Sequence, residues 1–292
     1  GVMAGFCQGG GVGKCLAEWI IDGEPSIDVW AMDVARFGDY ASPQYGTIKS
    51  SENYERRFIM TFPNETLPKG RKQKTTALYD RFVNQGAVMG DSFGLESVLW
   101  FAKNKEDAHE EPTIKRSRSH NYVSKEVINV RENVGAIEVA NFSKHEFKGP
   151  DSRKFLDYVM AGRLPKPGRI SLTPMLTKKG KLYGDLTVAC IDEDEFMVFG
   201  SGAAQEMHRR WFETHMSKFN LSYKNRSDEL HGIGIAGPKS RDLLQKIVRE
   251  DISNNKFKFR DSRKMYVGGV PAIVNRISFT GELGYEIYVA PH

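Results

Sequence analysis

Helix-spaced and strand-like apolar patterns follow one another along the chain, most regularly after residue 118. The segments are short and are separated by turns containing glycine, proline, aspartate or lysine, such as 178–181 and 192–194. Strands mixed with helices and joined by hairpin turns are typical of an α+β fold and not of a repeating βαβ barrel.

The pattern predicts helices over 14–22, 28–37, 77–84, 119–133, 151–160, 200–216 and 238–248, with a helical turn near 53–58. It predicts extended runs over 87–100, 136–139, 142–147, 170–177, 182–191, 196–199, 230–236, 265–267, 272–277 and 285–290.

Composition and charge exclude several classes. A hydrophobic content of 40% and an aromatic content of 11% fit a folded chain rather than disorder, collagen or a coiled coil. The net charge of +5 permits anionic ligands, but both signs are mixed and no clustered basic face points to nucleic acid. Three cysteines exclude a disulfide scaffold, and no apolar run approaches the ~20 residues that span a bilayer. We expect a soluble protein.

The ends of the chain and one internal segment indicate its organisation. The charged, apolar-poor residues 104–118 are typical of a linker, so we place a domain boundary near them. The chain begins at Gly1 and closes at His292, directly after an apolar strand-like run. We expect an internal piece of a longer protein, with any targeting signal outside it.

The glycine-rich residues 9–13 resemble a phosphate loop only superficially. A P-loop needs glycine five positions before the Gly-Lys pair and a hydroxyl after it, but Gln8 and Cys15 stand there. Two interpretations remain. These glycines either bring a helix N-terminus close to a cofactor or allow tight packing of a helix against a sheet.

Metal ligation has no support in the sequence. The His-Glu pairs at 109–110 and 145–146 lack the second histidine of a zinc helix, because Thr113 and Gly149 occupy its place. His208 and His215 are seven residues apart with no cysteine or carboxylate partner nearby in sequence, so we expect ordinary histidines.

Three acidic residues are candidates for chemistry. Asp185 lies in an apolar run and shares one strand face with Thr187 and Ala189, so we expect it to be partly buried unless it is only a turn-proximal aspartate. Glu282 lies in a tight bend between two glycines, and Glu286 lies in the strand that follows. Glu286 could accept two parallel N–H bonds from an aminopyrimidine-type ring, or it could face solvent on an edge strand.

Several short segments occur along the chain in a characteristic order: residues 9–14 with 16–20, 28–30 with 36–37, 78–81 with 86–88, 149–151, 184–188, 237–238 and 280–286. In this order they resemble the dimethylglycine/sarcosine dehydrogenase-like proteins, in which a flavin amine-oxidase half precedes a folate-binding half similar to the glycine cleavage aminomethyltransferase.

The resemblance implies three parts: the tail of an FAD-dependent oxidase domain over 1–37, a small connecting domain over 38–108, and a folate-binding aminomethyltransferase-like domain over 109–292, truncated at its C-terminus. The implied activity is oxidative demethylation of an N-methylated glycine, with the one-carbon unit passed to tetrahydrofolate. Two alternatives stay open: a folate-dependent aminomethyltransferase or demethylase without oxidase activity, and a non-catalytic relative such as the pyruvate dehydrogenase phosphatase regulatory subunit.

The implied site residues follow by position. Asp185 matches the catalytic aspartate beside the reactive folate nitrogens, and Glu286 matches the acid that grips the pteridine edge. Glu282, Phe279 and Tyr285 complete the expected folate contacts, although Phe279 stands where many relatives have tyrosine. The expected partial FAD site, with most flavin contacts lying before residue 1, consists of Gly10, Gly11, Val12 and Gly13.

The resemblance also bears on partners and compartment. It implies an amine substrate and folate, and it leaves room for an electron-acceptor protein. It implies the cytoplasm for a bacterial protein and the mitochondrial matrix for a eukaryotic one. The departures at 138–141 and 174–176 from the pattern of the relatives bear on folate turnover rather than on folding of the folate domain.

Overall fold

The computed structural model describes residues 5–63 and 65–291, so residues 1–4 of the expected oxidase tail and His292 lie outside it. Its helices are α1 (Gly5–Asp22), α2 (Pro43–Glu55), α3 (Tyr79–Asn84), α4 (His120–Glu132), α5 (Ser152–Val159), α6 (Gln205–His215) and α7 (Ser240–Gln245). None of the described helices has the length and apolar character needed to cross a membrane.

The strands form a hairpin and two larger sheets. They are β1 (Ala87–Ser92), β2 (Leu95–Phe101), β3 (Gly135–Glu138), β4 (Phe142–Lys148), β5 (Arg169–Leu176), β6 (Leu182–Asp192), β7 (Glu195–Ser201), β8 (Ser222–Asn225), β9 (His231–Ala236), β10 (Ser262–Val267), β11 (Val270–Asn275) and β12 (Gly284–Val289). Sheet I has the order β10-β11-β12-β9-β3 and sheet II the order β5-β6-β7-β4-β8, and every pairing is antiparallel. The predicted α+β class is confirmed.

Sheets I and II pack face to face through one apolar cluster, which we call the inter-sheet core: Val139, Ile170, Ala189, Met197, Phe199 and Tyr288. Within it the rings of Phe199 and Tyr288 stack with centroids 4.4 Å apart. The contact joins β7 of sheet II to β12 of sheet I, so it sets how the two sheets face each other.

The outer face of each sheet is covered by helices. Leu186 and Val188 of β6 pack with Phe155 of α5 and Phe212 of α6 beneath sheet II. Beneath sheet I, Leu244 of α7 joins an apolar cluster with residues of β9, β11 and β12. The folate-like part is therefore layered as helix, sheet, sheet, helix.

Two Gly-Pro steps start similar strand–helix units. Gly149 follows β4 with φ +127°, and Gly237 follows β9 with φ +121°. A Cβ at Gly237 would lie 2.4 Å from the Val130 carbonyl oxygen and 2.5 Å from that of Asn133. Both positive φ and close backbone approach therefore require glycine at this turn.

The largest differences from the predicted elements lie in the N-terminal part. The predicted helix 28–37 is instead two 3₁₀ turns, Trp30–Met32 and Val34–Arg36. Asp33 separates them, because its extended backbone interrupts the helix and its carboxylate accepts a hydrogen bond from the Ala35 N–H at 2.8 Å.

Other differences have local causes. Helix α2 is longer than the predicted turn, and its start carries a Ser42 cap and a first-turn proline. Strand β8 was not predicted because its polar Ser-Tyr-Lys-Asn sequence lacks an apolar alternation, and its pairing with β4 is a tertiary contact.

The burial of β6 leads to a stability prediction. Leu186→Ala removes a fully buried side chain and is expected to lower the free energy of unfolding by about 2–5 kcal/mol. Leu182→Ala, on the same strand but 67% exposed, is the matched control and should change it by less than about 0.5 kcal/mol. Urea unfolding measures both, and equal losses would contradict this packing.

Candidate functional site

Glu286 is a buried acid in the middle of sheet I. It lies on β12, which has β11 on one side and β9 on the other, so the edge-strand alternative is wrong. Its side chain shares a strand face with Tyr288, whose hydroxyl donates a hydrogen bond to Glu286 Oε2 at 2.8 Å. Burial raises the pKa of Glu286, and the Tyr288 hydrogen bond opposes part of that rise.

Asp185 is exposed, so the expectation that it is partly buried is wrong. It lies on β6 opposite Pro174 of β5, an edge strand of sheet II. The strand face it shares is half-buried at Thr187 and fully buried only at Ala189. The carboxylate therefore lies where β6 leaves the inter-sheet core and water can still reach it.

Asp185 and Glu286 lie on the faces of the two sheets that meet. Residues two apart on a strand share a face, so Asp185 lies on the side of Ala189 and Glu286 on the side of Tyr288. Ala189 and Tyr288 both belong to the inter-sheet core. The two acids are thus on facing sides of sheets II and I rather than on opposite surfaces of the protein.

The other expected folate contacts are not brought to that face together. Tyr285 is fully buried on the opposite face of sheet I, where its ring stacks on Phe257 at 5.9 Å and its hydroxyl accepts from Arg241 Nε at 3.2 Å. Alternation along β12 sends neighbouring side chains to opposite faces, so Tyr285 does not share the Glu286 face.

The loop before β12 carries the remaining two candidates. Phe279 is 92% exposed, and the Glu282 side chain is only half-buried. A hydrogen bond from the Thr280 side chain lowers the pKa of Glu282. The two loop residues therefore lie at the entrance to β12, and their environment is unlike that of Glu286.

The expected flavin-contacting residues Gly10, Gly11, Val12 and Gly13 lie inside α1 and not ahead of it. They are exposed, and a Cβ on any of these three glycines would meet no atom within 4 Å. The prediction of a glycine-rich segment preceding a helix is therefore wrong, and the packing alternative is not realised among the described residues. The described residues alone do not assemble a flavin cradle.

A second polar cluster, which the sequence analysis missed, borders a cavity of about 300 Å³ lined by Lys74, Thr76, Ser227 and His231 among others. Glu138 Oε1 lies 3.3 Å from His231 Nε2, but neither atom makes a hydrogen bond among the described residues. Burial raises the pKa of Glu138 and lowers that of His231. No spacing in the sequence pairs these two residues, because β3 and β9 meet only in the folded sheet.

Lys144, which the sequence analysis also did not single out, is fully buried behind this cluster. Its ammonium group donates to the backbone oxygens of Phe142 at 2.7 Å and Ala140 at 2.9 Å. Burial lowers the pKa of Lys144 to about 8. The carbonyl oxygens satisfy the ammonium, so Lys144 is held as part of the β4 framework.

The described histidines are either buried or apart from one another, so they do not form a metal-binding cluster. Burial lowers the pKa of His208 to about 4 and that of His145 to about 3. His215 instead hydrogen bonds to the Trp211 backbone oxygen at 2.8 Å. Across 5–63 and 65–291, no three histidine, cysteine or acidic side chains lie close enough to share a metal ion.

Two protein-family models match this chain. Residues 78–292 match the model of the GCVT N-terminal domain, and residues 22–76 match that of the FAD dependent oxidoreductase central domain. The chain therefore belongs to the GCVT N-terminal domain family, in the group in which that domain follows an FAD dependent oxidoreductase central domain. This agrees with the resemblance to the dimethylglycine/sarcosine dehydrogenase-like proteins.

Curated relatives support the same grouping. The chain is 36% identical over 288 residues to human mitochondrial dimethylglycine dehydrogenase, covering 97% of this chain and 33% of that protein. It is 26% identical over 328 residues to mouse mitochondrial sarcosine dehydrogenase, covering 98% of this chain and 36% of that protein. The chain thus spans about a third of the length of the curated relatives it matches.

A solved structure shares the fold. The crystal structure of glycine cleavage system aminomethyltransferase T from Bartonella henselae superimposes with a TM-score of 0.62 at 19% identity. The match covers 75% of this chain and 54% of that one. At this identity the likeness concerns the fold alone.

The pKa of Glu286 is raised and the pKa of Glu282 is lowered. The stability of variants at these two positions should therefore change with pH in opposite directions. Because the pKa of Glu286 is raised above 4.5, its contribution to stability is present at acid pH and is lost as the pH rises. Glu286→Gln, which still offers Tyr288 an acceptor, should therefore gain stability relative to the parent as pH rises from about 4.5.

The matched control is Glu282→Gln. The lowered pKa of Glu282 means that its carboxylate contributes stability at neutral pH that is lost in acid, so this variant should lose relative stability as pH rises. Urea unfolding between about pH 2.5 and pH 8 measures both slopes, that of Glu282 below about pH 4.5 and that of Glu286 above it. Slopes of the same sign would contradict the two environments described.

Proposed function

We propose that the chain is part of a flavin-dependent, tetrahydrofolate-coupled dehydrogenase of N-methylated glycines, with dimethylglycine or sarcosine as substrate. The reaction would oxidise the N-methyl amine at the flavin and pass the one-carbon unit to tetrahydrofolate, giving 5,10-methylenetetrahydrofolate. The observation that carries the folate half is the buried Glu286 carboxyl, oriented by Tyr288 toward the inter-sheet side.

The residues on this face fit a folate ring. An aminopyrimidine edge offers parallel N–H donors, and a carboxylate can accept both in the bidentate manner it uses for guanidinium groups. Tyr288 occupies one lone pair of Oε2, and an ionised carboxylate has about four acceptor positions, so acceptors remain. Glu286 would bind and orient the ring edge, with Glu282 and Phe279 near the entrance.

Asp185 would act at the reacting folate nitrogen. Its exposed position on the facing side of sheet II leaves the carboxylate accessible to a bound molecule. There it would hold a proton or stabilise positive charge on the nitrogen during attack, which is the ordinary work of a positioned acid–base group.

The oxidase half of the proposal rests on the relatives rather than on the described residues. The match to the FAD dependent oxidoreductase central domain and the dehydrogenase names of the relatives support FAD as a cofactor. We also propose the division into 1–37, 38–108 and 109–292. An amine substrate, an electron-acceptor protein and, for a eukaryotic protein, a mitochondrial location belong to the same proposal, since the relatives named above are mitochondrial.

Folate binding tests the site directly. Calorimetric titration of tetrahydrofolate into the intact protein is expected to show micromolar binding, weakened about 10–100-fold in Glu286→Gln. Loss of a charge-assisted hydrogen bond of about 1.5–3 kcal/mol gives this factor. Glu193→Gln, in the exposed turn between β6 and β7, is the control and should bind like the parent.

The two alternatives predict different outcomes. Folate binding without any amine oxidation by the flavin-loaded protein would favour an aminomethyltransferase or demethylase. Absence of binding from a protein shown to be folded would favour the non-catalytic regulatory relative.

Asp185 is expected to affect the rate and not folate affinity. Asp185→Asn should slow formation of 5,10-methylenetetrahydrofolate by roughly 10²–10⁴-fold, the usual scale for a positioned acid–base group. Its affinity for tetrahydrofolate should stay within about threefold of the parent, because the proposal assigns ring binding to Glu286. Single-turnover product formation and calorimetry together check this, with Asp194→Asn in the neighbouring turn as control. An unchanged rate would remove Asp185 from the mechanism.

A further inference from the structure

Asn275, next to Glu286, has a side-chain donor that no residue of the described structure accepts from. Its side chain is fully buried, and its Oδ1 accepts from the Ser262 hydroxyl at 2.7 Å. Its Nδ2 makes no hydrogen bond among the described residues. A buried donor without a partner costs about 1–3 kcal/mol, and such groups in native proteins nearly always have one.

The strand register places this donor beside the proposed folate acid. Asn275 is the last residue of β11 and lies directly opposite Glu286 of β12. Directly opposed residues have Cβ atoms about 4.5–5.5 Å apart and point to the same face of a sheet. Asn275 therefore shares the face of Glu286 and Tyr288, which meets sheet II.

The amide oxygen is tied to the other neighbouring strand. Ser262 of β10 lies opposite Asn275 on the side away from β12. Because its hydroxyl holds Oδ1, the orientation of the amide plane is fixed and Nδ2 remains available. The side chain is thus held in place by one hydrogen bond and keeps two N–H donors free.

We propose that Asn275 is a second ring-recognition residue for folate: Nδ2 donates to the 4-oxo oxygen of the pteridine, while the Glu286 carboxylate accepts from the adjacent ring N–H and the 2-amino group. This inference rests on the proposed folate site. The ring edge presents two donors followed by an acceptor, and the Glu286–Asn275 pair presents two acceptors followed by a donor.

This pairing determines which ring the site accepts. A 4-amino group in place of the 4-oxo group turns the acceptor into a donor, which would then face the Asn275 donor in a buried position. Buried polar groups left unpaired are the strongest source of discrimination between close analogues. A 4-amino ring also lacks the N3–H that Glu286 accepts from, so Glu286 alone would already give part of this preference. The site should therefore reject 4-amino pteridines more strongly than Glu286 alone would, because Asn275 opposes the 4-amino group as well.

The test compares tetrahydrofolate with tetrahydroaminopterin, which differ at position 4. By calorimetry, the parent protein is expected to bind the 4-oxo form at least about 30-fold more tightly, because the 4-amino form loses two buried hydrogen bonds of about 1–3 kcal/mol each. Asn275→Leu, similar in size and uncharged, should lower this ratio about 10-fold and leave the part that the ring N3–H gives through Glu286. Asn275→Asp should lower the ratio further, because a carboxylate accepts from the 4-amino group.

Controls separate this inference from the proposed function. Asn121→Asp, on the exposed side of α4, should keep the parental ratio, and circular dichroism checks that each variant folds. Binding that requires Glu286 but keeps the full parental 4-oxo preference in Asn275→Leu overturns the role of Asn275 alone. Absence of tetrahydrofolate binding in the folded parent, or binding insensitive to Glu286→Gln, overturns the folate site itself.

Discussion

The packing of sheet I against sheet II is the constraint on which the candidate site depends. The stacked rings of Phe199 and Tyr288 join the two sheets, and the Tyr288 hydroxyl holds Glu286 in the same layer. The apolar contact therefore does two things at once. It supplies stacking and buried area, and it removes water from around a carboxyl group that would otherwise be solvated.

The buried polar groups of this layer lower the stability of the folded protein. A buried acid and a buried amide without a full set of partners both oppose folding, and an apolar pair at Glu286 and Asn275 would fill the same space without that penalty. Polar groups that cost stability in an otherwise well-packed layer are characteristic of sites shaped for a ligand rather than for folding. The exposed Asp185 on the facing sheet carries no such penalty.

The sequence predicted the regular part of the fold well, because strands such as β6 and β12 carry apolar residues at the period of a strand and end at turn residues. It missed β8, whose pairing is entirely tertiary, and it misplaced the glycines of α1, which are helical despite their composition. For the site, the candidate acids came from motif resemblance. The contact of Tyr288 with Glu286 could have been predicted from their spacing of two residues on one strand. The pairing of Asn275 with Glu286 depends on the strand register, which cannot be deduced from a single sequence.

The order of strands in sheet I has a consequence for how the chain acquires its structure. Among the strands that the structure describes, the middle strand, β12, comes last along the chain, whereas β3 at one edge precedes it by more than a hundred residues. Until residue 289 has left the ribosome, β9 and β11 lack the strand that joins them, and their unpaired edges are open to other chains. Assembly of the layer that holds Glu286 is thus a late event of high contact order.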